Sequence, residues 1–235
     1  MLVSSLSLIF PAYNEEKNLP RLLETVREIV PIFVSNFEAI VVNDGSKNGT
    51  FEILEEYKSK CSWLKVIHHE ANIGYGAAVK DGLLNASKEF IFFTDADLQF
   101  ELYSLGAILP YLRHYKVVLG YRAPRVDPWA RKLNAWLWRT LVTALFGIKV
   151  YDIDCAFKAF HREVLAIVQQ IESKGAMFST ELLVRLRLNG YKWVEVPVRH
   201  LPRAAGVQTG ANLKVIFKAF KELFEFHRCY RRGEI

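Results

Sequence analysis

The chain is poor in cysteine. Its three cysteines, Cys61, Cys155 and Cys229, are odd in number and far apart, with none of the spacings that bind metal. This excludes a disulfide framework and a cysteine-built zinc cage, and a reducing compartment is the simple expectation. Long hydrophobic runs are also missing, since nothing approaches the ~18 consecutive apolar residues of a spanning helix. The opening MLVSSLSLIFP has no basic segment, which predicts a first strand rather than a signal peptide. No internal repeat or low-complexity linker interrupts the chain. Acid is scarce in one window: from Arg113 to Arg139, seven Lys or Arg residues stand against the single carboxylate of Asp127.

Apolar material is plentiful. The 235 residues, 51% of them hydrophobic, suffice for one α/β domain with a large core and exclude a disordered chain. A net charge of +6 favours anionic partners, whether nucleotide phosphates, nucleic acid or an acidic membrane surface.

Apolar runs alternate with helical periodicity. Strands are predicted at Leu6 to Phe10, closed by Pro11, then at Glu38 to Asn43, Leu64 to His68, Phe90 to Phe93, Val117 to Gly120 and 193 to 198. Between the first two, Leu19, Leu22, Leu23, Val26 and Ile29 or Val30 recur at helical spacing, and Asn14 is a candidate cap. Phe51, Ile53, Leu54 and Tyr57 mark a second helix, and a glycine-punctuated turn, NIGYG, opens a third. Strands alternating with such helices imply a mostly parallel sheet covered on both faces, with ligands outside the carboxyl ends of its strands. Pro11 to Glu15, Asn43 to Ser46 and Asp95 to Gln99 converge there.

The last of these stretches organises the rest. FIFFTDADLQ is a buried strand running into Asp95, Ala96 and Asp97. Two carboxylates one residue apart point the same way off an extended backbone. Such crowding is unfavourable unless a cation sits there, and hard oxygen ligands suit Mg2+ or Mn2+ with a substrate phosphate. Gln99 adds a neutral oxygen. A hydrated acidic loop is the alternative for this pattern alone.

Five motifs in order, FPAYNEEKNL, VVNDGS, NIGYGAAVKDGL, TDADLQ, and YDIDCAFKAFHREV with FSTELL, resemble the family 2 glycosyltransferases of the GT-A fold. Within that family the likeness, from Leu6 to Glu222, is greatest to the dolichyl-phosphate mannose synthase and polyprenyl-phosphate glycosyltransferase group. The resemblance implies a single GT-A, Rossmann-like α/β domain over residues 1–235. Residues 1–100 would form a nucleotide-binding half, 101–210 an acceptor half and 211–235 a basic amphipathic helix. It implies that Pro11, Tyr13, Glu15, Val42 and Asp44 hold the nucleoside, that Asp95, Ala96 and Asp97 meet the sugar nucleotide, and that Asp95, Asp97 and Gln99 hold Mg2+ or Mn2+. One departure is plain. The family often has an Asp-Asp pair after the second strand, and this chain has Asn43 and Asp44.

The acceptor half is basic and rich in tryptophan. AWLWRTLVTALFGI is apolar around most of a helix, too short to span but suited to a membrane interface, with a buried helix or a dimer contact as alternatives. The resemblance implies that Arg122, Arg131, Lys132 and Arg203 receive the phosphate of a lipid acceptor. Ala135, Trp136 and Arg139 stand where the family often has Ser-Arg and Asn. Asp152 and Asp154 are expected to orient the sugar or a basic residue, or to form a salt-bridged turn before a strand; Lys158 follows them. Glu181 is expected to cap its helix or face the site. Gly206 and Gly210 permit a loop that closes over substrate, with Gln208 and Thr209 where relatives often carry a lysine. The last helix presents Leu213, Ile216, Phe217, Phe220 and Phe224 on one face, to pack on the domain or touch anionic lipid.

The expected reaction is metal-dependent, inverting transfer of a sugar from a nucleoside-diphosphate sugar of GDP-mannose or UDP-glucose type to a polyprenyl phosphate, with Asp97, Arg122, Asp152 and Asp154 at its centre. A saccharide acceptor is the alternative and needs a base, for which Asp152, Asp154 and Glu181 are candidates. A non-catalytic sugar-nucleotide binder is the second alternative, and nucleic acid is not expected. Many relatives continue into membrane spans; this chain stops, so peripheral attachment at the cytoplasmic face is expected, alone, as a homodimer or with a separate membrane-spanning partner.

Overall fold

The computed structural model describes residues 1–203, 205 and 213–235. Its strands are β1 (Leu6–Ala12), β2 (Phe37–Asn43), β3 (Leu64–His68), β4 (Phe90–Thr94), β5 (Val117–Arg122), β6 (Phe157–His161) and β7 (Trp193–Val198). The helices are α1 (Leu19–Phe33), α2 (Thr50–Lys60), α3 (Tyr75–Leu84), the short α4 (Leu105–Ile108), α5 (Trp129–Phe146), the short α6 (Leu165–Gln169), α7 (Phe178–Leu188) and α8 (Leu213–Arg232). The strands form one sheet in the order β3-β2-β1-β4-β6-β5-β7. Every pairing is parallel except the two made by β6, so the expected mostly parallel α/β architecture is the one adopted.

Successive side chains of a strand face opposite sides of the sheet, so a sheet covered on both faces needs apolar residues at nearly every position. Leu6, Leu8 and Phe10 of β1 and Phe92 of β4 pack with Leu19, Leu22, Leu23 and Val26 of α1. Ile9, Val42, Ile91 and Phe93 face the other way, onto Val79 of α3, Val142 of α5, Leu182 of α7 and Leu223 of α8.

Four local expectations need correction. Strand β1 does not stop at Pro11, which pairs with Val42. Leu6 N donates toward β2, to Asn36 O, so the odd residues face β4. Strand β4 pairs only as far as Ile9, and the donor that Pro11 lacks is not needed beyond it. Asn14 does not cap α1; Asn18 occupies that position without a side-chain cap, and Asn14 adopts a left-handed φ of 59°. Helix α5 divides. Val142 and Phe146 are buried and Trp138 Nε1 donates to Thr180 Oγ1 at 3.1 Å, while Trp129, Leu133, Trp136 and Leu137 are exposed. On α8, Phe220 packs on Trp138 as expected, but the buried line runs through Ala219 and Leu223, leaving Phe224 exposed.

Candidate active site

Parallel strands bring their carboxyl ends to one edge, and the loops after β1, β2 and β4 meet there. Two of these loops are tied directly. Asn14 N donates to Ser46 Oγ at 2.8 Å, Lys47 N to Asn14 Oδ1 at 2.8 Å, and Gly49 N to Glu16 Oε2 at 2.8 Å. The left-handed Asn14 turns the β1 loop so that these bonds form.

Glu15 is buried. Its backbone N donates to Thr50 Oγ1 at 3.0 Å, and its Oε2 accepts from Asn18 Nδ2 at 2.5 Å. Asp97 is buried beside it. Asp97 Oδ1 accepts from Gln99 N at 3.1 Å and Oδ2 from Arg203 Nη1 at 3.1 Å. The same guanidinium donates to Glu15 Oε1, so one arginine holds carboxylates from two strand ends. Between Asp97 and Gln99, Leu98 has φ of 60°, a left-handed conformation that is an outlier for a bulky side chain. Gln99 Nε2 donates to Leu201 O at 3.3 Å.

The site holds more negative charge than it neutralises. Burial, and then repulsion from Asp97, push the Asp95 carboxyl up to about 7. Burial also raises Asp97 and Glu15 above the usual carboxylate range, against the pull of Arg203. Asp95 Oδ1 is buried without a hydrogen-bond partner among the described residues. Unpartnered hard oxygen next to like charge is a donor set that fits a divalent cation. Among the described residues, no group of three or more His, Cys, Asp or Glu side chains forms a metal cage alone.

The nucleoside candidates divide into open and engaged. Tyr13 is half-buried on the β1 loop; Pro11 and Val42, paired across β1 and β2, and Ala96 are buried. Asp44, expected to face the nucleoside, is engaged with the protein. It accepts from Ile73 N at 2.9 Å, Gly74 N at 3.0 Å and His69 Nδ1 at 2.9 Å, and His69 Nε2 lies 3.0 Å from Asp81 Oδ2. Asp44 thus pins the NIGYG turn. Gly74 at its corner has φ of 114°, and a Cβ there would lie 2.3 Å from Lys174 O. Asn43 contacts His68 Nδ1 at 3.0 Å and accepts from Ser46 N at 3.1 Å.

The acceptor candidates are also unequal. Arg122 grips Asp152 through two nitrogens, Nε to Oδ2 at 2.6 Å and Nη2 to Oδ1 at 2.8 Å, and reaches Asp127 at 3.2 Å. Asp127 further accepts from Arg125 at 2.6 Å and Arg131 at 3.4 Å. Burial raises the Asp152 carboxyl, but Arg122 outweighs it and holds the group below its ordinary value. Lys132 and Arg139 line a cavity of about 240 Å3 with Arg125, Trp136, Tyr151 and Asp154. Asp154 is exposed there, without a hydrogen bond or ion pair among the described residues. Glu181 is buried and faces inward to the chain, accepting from Glu172 N, Ser173 N and Arg185 Nε at 3.1, 2.9 and 2.7 Å. Lys158 is fully buried, with Nζ donating to Ile153 O at 3.0 Å and to Cys155 O, which shapes the turn carrying Asp152 and Asp154.

Sequence reasoning passed over His200. It is buried at the end of β7, 3.4 Å from Gln99 Nε2, with Nδ1 unpartnered among the described residues. Its position past a strand running parallel to β5 was the available signal. Gly206, Gln208, Thr209 and Gly210 lie outside the described residues, as do the side chains of Leu213, Ile216 and Phe217. Among the described residues, no helix is long and apolar enough to cross a membrane.

Residues 7–167 match the family model described as glycosyl transferase family 2. An undecaprenyl-phosphate 4-deoxy-4-formamido-L-arabinose transferase of Proteus mirabilis is 26% identical over 216 residues, covering 91% of this chain; the chain spans only 65% of that protein's length. A polyprenol monophosphomannose synthase of Mycolicibacterium smegmatis is 29% identical over 221 residues, 88% of this chain and 82% of the relative. Among solved structures, glucosyl-3-phosphoglycerate synthase of Mycobacterium tuberculosis, in complex with Mn2+, UDP and phosphoglyceric acid, shares the fold. Its TM-score is 0.72 at 19% identity, with 98% of this chain and 79% of that one covered.

Proposed function

The chain belongs to glycosyl transferase family 2, and on that premise we propose that it transfers a sugar from a nucleoside diphosphate to a polyprenyl phosphate. One observation carries this reading. The chain carries both a cluster of carboxylates at the tips of β1 and β4, with Glu15 and Asp97 buried, and a cavity lined by Arg125, Lys132 and Arg139. The first suits a cation-bound diphosphate, the second an anionic acceptor. The names of the relatives, which include polyprenyl-phosphate sugar transferases, support the same acceptor class.

In this reading Tyr13 offers an aromatic face to the base, while Pro11 and Val42 form the floor. Asp95, Asp97 and Gln99 hold a Mg2+ or Mn2+ ion, which when bound offsets charge on the departing diphosphate. Arg125, Lys132 and Arg139 fix the acceptor phosphate on the far side of the sugar. Arg122 and Asp152 act beneath them, holding the loops that carry Arg125 and Asp154. The phosphate oxygen attacks the anomeric carbon as the bond to the diphosphate breaks, inverting that centre. A phosphate is already anionic near neutral pH, so positioning matters more than a base. The exposed stripe of Trp129, Leu133, Trp136 and Leu137 beside basic residues suits docking on a membrane at its cytoplasmic face.

The unpaired carboxylate of Asp154 favours a second reading, a saccharide acceptor with Asp154 as base. The deciding experiment supplies a panel of UDP and GDP sugars, Mn2+, and either polyprenyl phosphate or oligosaccharide, with product identification. Sugar on lipid phosphate, retained in Asp154→Asn, supports the first reading. Product on the oligosaccharide alone, or no turnover with any donor, overturns it.

A further inference from the structure

By the family resemblance, Glu15, Asp97 and Arg203 would meet three separate ligands: nucleoside, metal ion and acceptor phosphate. In the structure they hold one another. Arg203 Nη1 donates to Asp97 Oδ2 at 3.1 Å, Nη2 to Glu15 Oε1, and Nε to Ala205 O at 2.7 Å. Asn18 Nδ2 reaches both Glu15 Oε2 and, at 3.3 Å, Ala205 O, which ties Ala205 to the β1 loop. The arginine side chain is only 17% exposed.

Both oxygens of Asp97 accept a hydrogen bond. Gln99 N occupies Oδ1, and that amide is fixed by the left-handed Leu98 turn. Arg203 occupies Oδ2, and it is the partner on a side chain with rotatable bonds. Each oxygen keeps a second lone pair, but on the Oδ2 side a cation meets the positive guanidinium of Arg203, so its approach there favours displacing that side chain. The exchange is electrostatically favourable, because one guanidinium meets Asp97 and Glu15 but leaves Asp95 Oδ1 without a partner. A divalent ion brings twice the charge to the same cluster.

We propose that Arg203 is an exchangeable internal counter-ion: a divalent cation displaces it from Asp97 and so frees its guanidinium for an incoming anionic acceptor. Arg203 is then a positioning residue that couples the donor half of the site to the acceptor half. Donor with its cation binds first, and the acceptor phosphate binds second. The inference rests on the metal-assisted transfer proposed above.

The test uses the whole chain and Mn2+ alone, with free Mn2+ followed by its electron paramagnetic resonance signal. Charge-assisted hydrogen bonds are worth about 1.5–3 kcal/mol, so losing the competitor in Arg203→Met tightens Mn2+ binding on the order of tenfold or more. Arg203→Lys, a point charge that cannot span two carboxylates, falls between the two. Equal or weaker Mn2+ binding in Arg203→Met overturns the proposal. A second measurement needs no variant. Phenylglyoxal modification of Arg203 in the wild type, mapped by peptide mass spectrometry, speeds up when Mn2+ is added; an unchanged or slower rate also overturns it. Sugar transfer by the wild type is assayed alongside. Transfer with unchanged Mn2+ affinity in Arg203→Met removes the counter-ion role and leaves the transferase reading intact. Tighter Mn2+ binding without transfer does the reverse.

Discussion

The Arg122–Asp152 pair offers the sharpest test of how the proposed acceptor half is built. The side chains are 11% and 7% exposed, and two parallel hydrogen bonds join them. Removing one partner of a buried ion pair costs about 3–5 kcal/mol, because the other is left charged and uncompensated. The structure makes the two removals unequal. In Asp152→Asn, Arg122 keeps Asp127 at 3.2 Å. In Arg122→Met, Asp152 keeps only a long contact to Arg125, at 3.8 Å, and the backbone amide of residue 122, at 3.5 Å. Arg122→Met therefore lies toward the upper end of the range and Asp152→Asn toward the lower. For a chain of this size each kcal/mol moves Tm by roughly 2–4 °C, so the expected drops are about 10–20 °C and about 6–12 °C. The double variant is less damaged than the sum of the two, since neither charge is then stranded. Calorimetry or circular dichroism melts of the four proteins read this directly. A scaffold role is refuted if Arg122→Met melts like the wild type while losing affinity for the acceptor phosphate, which is how a free phosphate ligand behaves.

Four further outcomes are expected. Asp97→Asn lowers sugar transfer by about two to three orders of magnitude, since on the proposed reading a charge beside the leaving group is lost, with little change in Tm, because Arg203 keeps Glu15 and burial already disfavours the ionised Asp97; transfer at the wild-type rate removes Asp97 from the mechanism. Glu38 gives a pH dependence. Burial raises its carboxyl, but hydrogen bonds from Lys65, Ser7 and Ser87 outweigh this and hold it at about 2, below its unfolded value of about 4.3. Its contribution is complete above the unfolded value and is lost as pH falls through about 2, so Tm of Glu38→Gln declines less steeply than wild type over that acid range. Gly82→Ala places a Cβ 2.3 Å from Ile9 Cγ2 and 3.1 Å from Val42 Cγ2, and overpacking of about 1–3 kcal/mol outweighs the gain in helix propensity, which lowers Tm by several degrees in a thermal melt. Replacing Trp129 and Trp136 by Ser weakens sedimentation with anionic lipid vesicles at least several-fold while leaving Tm unchanged, because the two side chains are 77% and 52% exposed.

Strands whose residues are apolar on both faces could be read directly. Phe90 to Phe93 is such a run, and a carboxylate pair at its end marks the sheet edge on which the site is built. Strand β6 was harder for a physical reason. Its sequence FKAFH places a lysine at a fully buried position, and Lys158 is tolerated there only because the carbonyls of Ile153 and Cys155 accept from it. Those partners sit in a turn that no periodicity reveals. Nor does any local pattern state that β6 runs against its neighbours. The role of Asp44 was hidden similarly. An acid after a strand looks available for ligand, but its donors are backbone amides of residues 73 and 74, about thirty positions away in sequence.

The same limit governs how charge is read in the acceptor half. Seven basic residues against one acid between Arg113 and Arg139 suggest a strongly cationic surface. In three dimensions Asp152 joins from outside that window, and Arg122, Arg125 and Arg131 are bound to Asp127 and Asp152. Lys132 and Arg139 form no ion pair among the described residues, and both line the cavity beside Asp154. The positive potential available to an anion thus comes mainly from these two, with Arg125, which lines the same cavity but is paired with Asp127, adding less, and Arg122 and Arg131 serve to hold their loops. Buried pairs are screened by salt far less than exposed charges. Without a divalent cation, acceptor affinity should therefore fall with ionic strength as though about two to three charges were involved, not seven, while the melting temperature of the scaffold changes little over the same salt range.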